Sequence, residues 1–482
     1  MAEINEPLLK PVYYENCPGC KVDQWNEENH RIPYMVFIHV WFVTLCAALP
    51  ISVLFPFLYF MIRDLHVAKR VEDIGYYAGF VGSSFMLGRA LTSVFWGIIS
   101  DRYGRKPVIV IGIVAVIVFN TLFGLSTSYW IAIVTRFLLG SLNGLLGPIK
   151  AYCVEVCRPE YQAVGISIVS TSWGMGLVVG PSIGGLLAQP AEKFPNIFSS
   201  NSFFRRFPYF LPCLSISLFA AIVLLTCPWL PETLHMHGEK KPGSTATKDL
   251  EGSFHGSDIM ANEENIDKSV PSSKGNLFMN WPLMSSIIVY CVFSLHDMAY
   301  TEIFPLWAES GRAYGGLDFS SQDVGQVLAI SGFSLLLFQL FVYPPLQKLF
   351  GHVTVSRVAG GLAIIITAAY PFLSKLYGFE LTMILNVASV LKNVLSLAII
   401  TGLFILQNNA VTQNQRGAAN GISMTGQSIF KAIAPAAGGA IFSWAQKRRD
   451  SYFLPGDHMV FFILNLVEFV GLLMTFKPFL AY

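Results

Sequence analysis

Long apolar stretches dominate the sequence and constrain its fold more than any other feature. A helix needs about 20 mostly apolar residues to cross a bilayer. Twelve such stretches are visible, near residues 34–62, 74–99, 107–125, 129–152, 162–189, 207–229, 281–308, 322–349, 353–375, 380–404, 416–444 and 457–477. Hydrophobic residues make up 53% of the chain and charged residues only 13%, against about 25% charged residues in soluble domains. The sequence therefore predicts an all-α membrane protein.

A polar segment divides these stretches into two sets of six. Residues 231–280 are rich in Gly, Ser, Lys and acidic residues, a composition that cannot bury a core and is typical of a flexible linker. The predicted organisation is an N-terminal segment over 1–33, a six-helix half over 34–230, the linker over 231–280 and a second six-helix half over 281–482. The net charge of +2 gives no reason to expect a nucleic-acid partner.

Two similar segments indicate an internal duplication of the six-helix unit. The fifth stretch opens with GISIVSTSWGMG from Gly165, and the eleventh opens with GISMTGQSIFKA from Gly421. Each follows an arginine, Arg158 or Arg416, and each ends in a pair of glycines. Duplicated halves with a substrate site near the membrane midplane are typical of secondary transporters.

The segment GIISDRYGRKP, which we call the 97–107 segment, ends the second apolar stretch in a cluster of charges. Its candidate functional residues are Gly97, Asp101, Arg102, Gly104, Arg105 and Lys106. Gly97 allows another helix to approach closely, and the carboxylate of Asp101 can face the positive N-terminus of a neighbouring helix. We expect this segment to latch one conformation and to release it in another, as alternating access requires.

The 97–107 segment resembles the signature loop between the second and third helices of major facilitator transporters. The resemblance implies the twelve-helix major facilitator fold, a contact between Asp101 and the start of the eleventh helix near Arg416, and both termini in the cytosol. The loop charges give no orientation of their own, because basic residues occur on both sides. A plain positive anchor in the cytosol is the alternative.

Small residues mark the fifth stretch. The motif consists of Ser167, Gly176, Gly180, Pro181, Gly184 and Gly185. The glycines offer a smooth face to a neighbouring helix, and Pro181 removes a backbone hydrogen bond and bends the helix. The motif resembles that of the proton-antiporter branch of the same superfamily, which implies exchange of the substrate against protons. Ordinary packing of small residues is the alternative.

Ionisable side chains inside the apolar stretches are costly and mark candidate substrate or proton pathways. The candidates are Arg136, His296, Asp297, Tyr300, Glu302, Lys392, Lys431 and Glu468. His296 and Tyr300 share a helix face, and with Asp297 they form a patch that could bind a zwitterion or pass on a proton. Lys431 is expected to pair with Asp297 or Glu468. Structural ion pairs between helices are the alternative.

Cysteine and histidine pairs occur on both sides of the first six stretches. Cys17 and Cys20 have the spacing of zinc ligands, and His235 and His237 follow the sixth stretch within PETLHMH. Together they offer two sulfur and two nitrogen ligands for a regulatory metal. A docking segment without metal is the alternative, and no cofactor is expected.

These features together resemble the plant zinc-induced facilitator-like family. They are the Cys-Pro-Gly-Cys sequence, the 97–107 segment, the fifth-stretch motif, PETLHMH and NWPLMSSIIVYCVFSLHD. The resemblance implies a proton-coupled antiporter that exports a metal chelator of the nicotianamine or phytosiderophore type and so affects zinc and iron homeostasis. The alternative is a proton-coupled potassium or caesium carrier, with Asp297 and Glu302 as its cation site. A membrane enzyme that uses His296 and Asp297 is disfavoured, because it does not explain the 97–107 segment. A non-transporting receptor built on a carrier fold is a further, minor alternative.

The sequence offers one indication of the target membrane. Glu6, Pro7, Leu8 and Leu9 are similar to the acidic dileucine signals of vacuolar proteins, which favours the vacuolar membrane over the plasma membrane. The expected partners are a small-molecule or cation substrate, protons and the lipid bilayer, and the expected state is a monomer.

Overall fold

The computed structural model describes residues 13–14, 16–29, 31–158, 161–199, 202–235, 277–411, 416–448 and 454–480. Within these residues the protein is helical and contains no β-strand, which confirms the predicted all-α class. Most of the predicted linker, including His237, lies outside the described residues, and the predicted domain boundaries remain predictions.

Twelve long helices follow a short N-terminal helix at Pro18–Glu28 in the described part of the chain. The first six are α1 (Tyr34–Ser52), α2 (Ile74–Tyr103), α3 (Arg105–Gly124), α4 (Tyr129–Glu155), α5 (Gln162–Leu187) and α6 (Phe210–Trp229). The second six are α7 (Trp281–Glu309), α8 (Ser321–Leu337), α9 (His352–Leu373), α10 (Gly378–Asn409), α11 (Arg416–Gln446) and α12 (Asp457–Met474). Because the number of crossings is even, the N-terminal helix, the 97–107 segment and the end of α12 lie on one side of the membrane. We call it the terminal side and the other the opposite side.

Two helices that the sequence predicts to be continuous are interrupted. α1 stops at Ser52, after Pro50, and the chain resumes as a helix only at Leu58–Asp64. α4 opens between Leu142 and Leu146. Carbonyl groups released by a break inside a membrane need new donors. The carbonyl of Pro50 accepts a hydrogen bond from Arg136 Nη1 at 2.7 Å.

The break in α4 is satisfied by α2. The carbonyl of Ser141 accepts hydrogen bonds from Trp96 Nε1 at 2.6 Å and from Thr92 Oγ1 at 2.7 Å. A Cβ at Gly140 would lie 2.0 Å from the carbonyl of Phe85, so α2 and α4 are in backbone contact here. α2 therefore supports the interrupted part of its neighbour.

Four of the twelve helices, α2, α5, α8 and α11, join the two halves. They pair as α2 with α11 and α5 with α8. Among the described residues, eight helices are found to be long and apolar enough to cross a membrane by length and composition. Membrane helices that approach closely are enriched in small residues, and each of the four joining helices carries glycine at its contact.

The contact between α2 and α11 lies near the opposite side. A Cβ at Gly79 would lie 2.3 Å from the carbonyl of Pro435, and a Cβ at Gly439 would lie 2.2 Å from the carbonyl of Gly75. Ser83 Oγ donates a hydrogen bond to the carbonyl of Ala432 at 2.8 Å. The two backbones can meet this closely only because side chains are absent at these positions.

The contact between α5 and α8 lies on the same side of the membrane. A Cβ at Gly185 would lie 3.0 Å from the Cα of Gly325. Just after α5, Lys193 Nζ donates to the carbonyl of Gly185 at 2.5 Å and to Ser321 Oγ at 2.8 Å, so it bridges the halves. Burial lowers the pKa of the Lys193 ammonium to about 8. We call the two contacts, α2 with α11 and α5 with α8, the closed gate.

The terminal-side ends of the helices are further apart. A Cβ added at Gly97 of α2, Gly147 of α4 or Gly421 of α11 would meet open space. The two halves therefore meet at the opposite side and separate towards the terminal side. The space between the halves is therefore open to the compartment on the terminal side, as one of the two states expected for alternating access would be.

A single methyl group at the closed gate should destabilise this conformation. Gly439→Ala would place a methyl carbon 2.2 Å from a backbone oxygen, and overpacking of this kind costs about 1–3 kcal/mol. We therefore expect a lower temperature of thermal unfolding in detergent. Gly361→Ala is the matched control, because a Cβ there meets open space and alanine favours a helix by about 0.5–1 kcal/mol. Equal unfolding temperatures for the two variants would contradict the contact.

Candidate functional site

Charged side chains from four helices face each other between the halves. They are Arg89 of α2, Lys150 of α4, Asp297 of α7 and Lys431 of α11. Arg89 lies within electrostatic range of both Lys150 and Lys431, and Lys431 lies within range of Asp297. All four belong to membrane-spanning helices, yet each keeps part of its surface exposed. They therefore line a solvent-accessible space, the central cavity, which opens to the terminal side.

Two of these residues are missing from the set predicted from the sequence. Arg89 and Lys150 lie within the apolar stretches at 74–99 and 129–152, so the rule that selected Lys431 applies to them equally. The structure adds that they contribute two positive charges from the first half. The predicted cavity therefore lacked these two positive charges of the first half.

Asp297 is held by Lys392. Lys392 Nζ lies 3.1 Å from Asp297 Oδ1 and 3.7 Å from the centre of the Tyr300 ring. The Tyr300 hydroxyl is 2.6 Å from that of Tyr370. Lys392 is fully buried, whereas the Asp297 side chain is 30% exposed, so one carboxylate face remains available to the cavity.

In place of the expected ion pair between Lys431 and Asp297, the structure has the pair of Lys392 and Asp297. Lys392 lies on α10, which packs against α7 within the second half. It therefore contacts Asp297 from within the second half. Lys431 stays on the cavity wall, where its charge acts on Asp297 without an ion-pair contact among the described residues.

His296 and Glu468 form a separate buried pair. His296 Nδ1 lies 2.6 Å from Glu468 Oε2, and both side chains are 1% exposed. Adjacent residues of a helix point about 100° apart, so His296 faces α12 while Asp297 faces the cavity. The predicted patch of His296, Asp297 and Tyr300 is therefore divided, and Glu468 is paired with His296 in place of Lys431.

Glu302 lies in the closed gate. Its side chain is 1% exposed, and neither carboxylate oxygen has a hydrogen-bond partner among the described residues. A Cβ at Gly82 of α2 would lie 2.8 Å from Glu302 Oε2, so the carboxyl group sits between the two halves. Glu302 and Asp297 are five residues apart, or about 140° around the helix, and do not form a joint cation site.

Arg136 of the first half interacts electrostatically with this carboxyl group. It is 1% exposed, and it lies within electrostatic range of Glu302. Its guanidinium lies over the rings of Phe85 and Phe123, 5.0 and 5.2 Å from their centres. Arg136 thus partly balances Glu302 without an ion-pair contact in the described residues.

The glycines of the fifth helix form a seam against α1. Cβ atoms at Gly176, Gly180 and Gly184 would lie 2.5 Å from Ala48 Cβ, 1.9 Å from Ser52 Oγ and 2.1 Å from the carbonyl of Val53. Gly185 faces α8 of the other half, where the carbonyl of Pro181 would lie 2.7 Å from a Cβ at Gly325. Ser167 is exposed. One face of the motif therefore packs α5 against α1. The neighbouring face packs α5 against α8 in the closed gate.

The 97–107 segment is fixed by two glutamates on the terminal side. Arg105 Nη2 lies 2.7 Å from Glu155 Oε1, and the backbone N–H groups of Arg105 and Lys106 each donate to the Glu232 carboxylate at 3.0 Å. Gly104 has a φ of +106°, and a Cβ there would lie 2.6 Å from Glu232 Oε2. Glycine is therefore needed for both the turn and the glutamate contact.

The remaining residues of the segment face solvent. Asp101 is 70% exposed and contacts Arg105 Nη1 at 2.5 Å. Arg102 lies over the ring of Tyr103, and Lys106 Nζ donates to the carbonyl of Pro228 at 2.8 Å. In this open conformation Asp101 bonds to its own loop, and its contact with the start of α11 remains a prediction for the other conformation.

Asp101→Asn should therefore slow transport without unfolding the protein. Exposed ion pairs contribute only about 0–1 kcal/mol, so we expect an unchanged unfolding temperature and a reduced rate of substrate flux. Glu155→Gln is the contrasting variant, because Glu155 accepts from both Arg105 and Thr233 Oγ1, and its loss should lower the unfolding temperature. Flux at the wild-type rate in Asp101→Asn would exclude a latch.

The cysteine and histidine motifs meet in space. Cys17 Sγ and Cys20 Sγ each lie 3.9 Å from His235 Nδ1. The three ligand atoms all lie within 4.8 Å of one another. Three of the four predicted ligands thus come together, and the fourth, His237, lies outside the described residues.

Comparisons with known proteins agree with this architecture. The Major Facilitator Superfamily profile matches residues 40–435. Over 480 residues the chain is 58% identical to protein ZINC INDUCED FACILITATOR-LIKE 1 of Arabidopsis thaliana, covering 99% of this chain and 98% of that one. It is 56% identical over 481 residues to protein ZINC INDUCED FACILITATOR 1 of the same plant, covering 99% of both. A crystal structure of a D-xylose–proton symporter aligns with a TM-score of 0.68 and 12% identity over 92% of this chain and 97% of that one, which supports a shared fold alone.

Proposed function

The chain belongs to the major facilitator superfamily and, within it, to the zinc-induced facilitator-like family, and from this premise we propose a proton-coupled antiporter that exports an anionic metal chelator from the cytosol. Membership of this family makes the chain a multi-pass membrane transporter and not an enzyme, and confirms the predicted major facilitator fold. The proposed substrate is of the nicotianamine or phytosiderophore type, and its export would affect zinc and iron homeostasis.

The charge of the central cavity carries the proposal on the substrate. Arg89, Lys150 and Lys431 supply three positive charges, and Asp297 supplies one negative charge that Lys392 already shares. A chelator with several carboxylates and amines has the complementary groups. Its carboxylates would bind the cationic side chains through charge-assisted hydrogen bonds, and one amine would face Asp297.

A potassium or caesium carrier fits the same cavity less well. Asp297 is engaged by Lys392, and Glu302 lies in the closed gate rather than in the cavity. Three neighbouring cationic groups would repel a monovalent cation. The alternative therefore has no pair of carboxylates to use in this conformation.

Glu302 supports the proposal of proton coupling. Opening the opposite side would part α2 from α7 and expose the carboxyl group to water. Burying a charged carboxylate again costs several kcal/mol, whereas burying the protonated group does not incur that cost. Closure of the gate is therefore linked to uptake of a proton from the opposite compartment. Asp297 lies nearer the terminal side on the same helix. Its carboxylate would accept the proton when Glu302 releases it towards that side.

We place the terminal side in the cytosol and favour the vacuolar membrane, with the plasma membrane as the alternative. Three proposals rest on this orientation: the cytosolic location of the N-terminal helix, substrate entry from the cytosol, and proton entry from the lumen or exterior. The sorting sequence around Leu8 and Leu9 lies outside the described residues.

Substrate flux in proteoliposomes with an imposed pH gradient tests the proposal. We expect the gradient to drive nicotianamine but not potassium. Arg89→Gln should raise the substrate concentration for half-maximal flux about ten- to a hundredfold, since a lost charge-assisted hydrogen bond is worth about 1.5–3 kcal/mol. Lys69→Gln, at an exposed position outside the helices, is the control. Movement of potassium alone would overturn the proposal.

Neutral variants of Asp297 and Glu302 should separate coupling from binding. Glu302→Gln keeps the shape of the gate without a titratable group, so we expect exchange to continue without acceleration by the pH gradient. Asp297→Asn leaves the buried Lys392 ammonium without its counter-charge, so we expect loss of substrate binding. Glu380→Gln, at the exposed start of α10, is the control. A full response to the gradient in Glu302→Gln would exclude Glu302 as the coupling group.

A further inference from the structure

We propose that Cys17, Cys20 and His235 bind one divalent transition-metal ion of the zinc type on the terminal side, and that this ion ties the N-terminal helix to the segment after α6. Each sulfur lies 3.9 Å from His235 Nδ1. Metal bonds of about 2.0–2.3 Å at tetrahedral angles place neighbouring ligand atoms about 3.5–3.8 Å apart. The cluster therefore has to contract only slightly to hold an ion.

The donor set selects the class of metal. Two thiols and one imidazole suit zinc and related transition metals, whereas calcium and magnesium require oxygen ligands. Cys17 and Cys20 are 2% and 3% exposed, so the sulfurs are sheltered from bulk solvent. Within the described residues three protein ligands are present, and a tetrahedral site has a fourth position for a further ligand such as water.

Backbone contacts hold the two parts of the site in place. Gly19, between the cysteines, donates its N–H to the carbonyl of Leu234 at 3.1 Å. A Cβ at Gly19 would lie 2.7 Å from the carbonyl of Thr233 and 2.9 Å from the His235 ring. The glycine thus lets the start of the Pro18–Glu28 helix lie directly on the segment that carries His235.

A carboxylate behind the histidine is an independent sign of a metal site. His235 Nε2 lies 3.4 Å from Asp23 Oδ2. Histidine ligands of metals usually donate their second ring N–H to a carboxylate, which fixes the tautomer and turns the other nitrogen towards the ion. Here the other nitrogen, Nδ1, is the one that faces both sulfurs.

His235 of the proposed site lies three residues after Glu232, the glutamate that fixes the 97–107 segment. Glu232 accepts the backbone N–H groups of Arg105 and Lys106, and Thr233 Oγ1 donates to Glu155 at 2.6 Å. An ion that fixes His235 therefore also fixes this glutamate and stabilises the loop as it stands in the open conformation. The inference goes beyond the proposed function, because the ion is bound outside the transport pathway.

Cobalt binding to the reduced, full-length protein in detergent tests the site. We expect one Co²⁺ per chain with a thiolate-to-cobalt charge-transfer band and the intense visible bands of a tetrahedral complex, both removed by Zn²⁺. The double variant Cys17→Ser, Cys20→Ser should lose these bands, and Asp23→Asn should weaken binding about 10- to 100-fold. Cys291→Ser, which changes a buried thiol of α7, should retain them.

Amide hydrogen exchange tests the link to the loop. With Zn²⁺ we expect slower exchange at Arg105 and Lys106 in the wild type and no change in the double variant. Absence of the charge-transfer band in the wild type, or its persistence in the double variant, would overturn the site. Zinc binding without any change in exchange would overturn the link to the loop. Neither measurement depends on flux, so failure of the transport proposal would be seen separately.

Discussion

Backbone contact at small residues holds the two halves of this protein together, and the rest of the structure depends on it. Where α2 meets α11, glycines bring two helices closer than any side chain would allow. Glycines meet in the same way where α5 contacts α8. Because both contacts lie on the opposite side, the cavity opens on the terminal side.

The closed gate also determines which ionisable side chains inside the membrane are exposed to solvent and which are buried. Arg89, Lys150 and Lys431 line the central cavity and keep part of their surface exposed. His296 and Glu468 are buried in contact with each other. The carboxyl group of Glu302 has neither solvent nor a hydrogen-bond partner within the described residues, a state that it shares with Glu309 at the end of the same helix. Our proposal is that closure of the gate depends on the protonation of Glu302.

The sequence predicts the fold well because membrane crossing is a local property of the chain. The twelve stretches, the two halves and the small-residue motif are all encoded within short windows. Pro50 is a local signal for the helix break that follows it. The apolar stretch continues past this break, so hydropathy alone predicts one continuous helix. Partners are harder to predict, because Lys392 and Lys431 are equally plausible partners for Asp297 until the helices are assembled. His235 is 215 residues from Cys20, so only the folded chain shows that they meet.

The distance between Gly97 and Gly421 on the terminal side tests most directly whether proton uptake and gate closure are linked. Both positions face open space and accept spin labels without steric conflict. If burial of a protonated Glu302 favours the open conformation described here, lowering the pH should shift the distance distribution towards the longer value, and Glu302→Gln should keep it there at every pH. A distribution that does not change with pH in the wild type, or that shortens on acidification, would contradict the account.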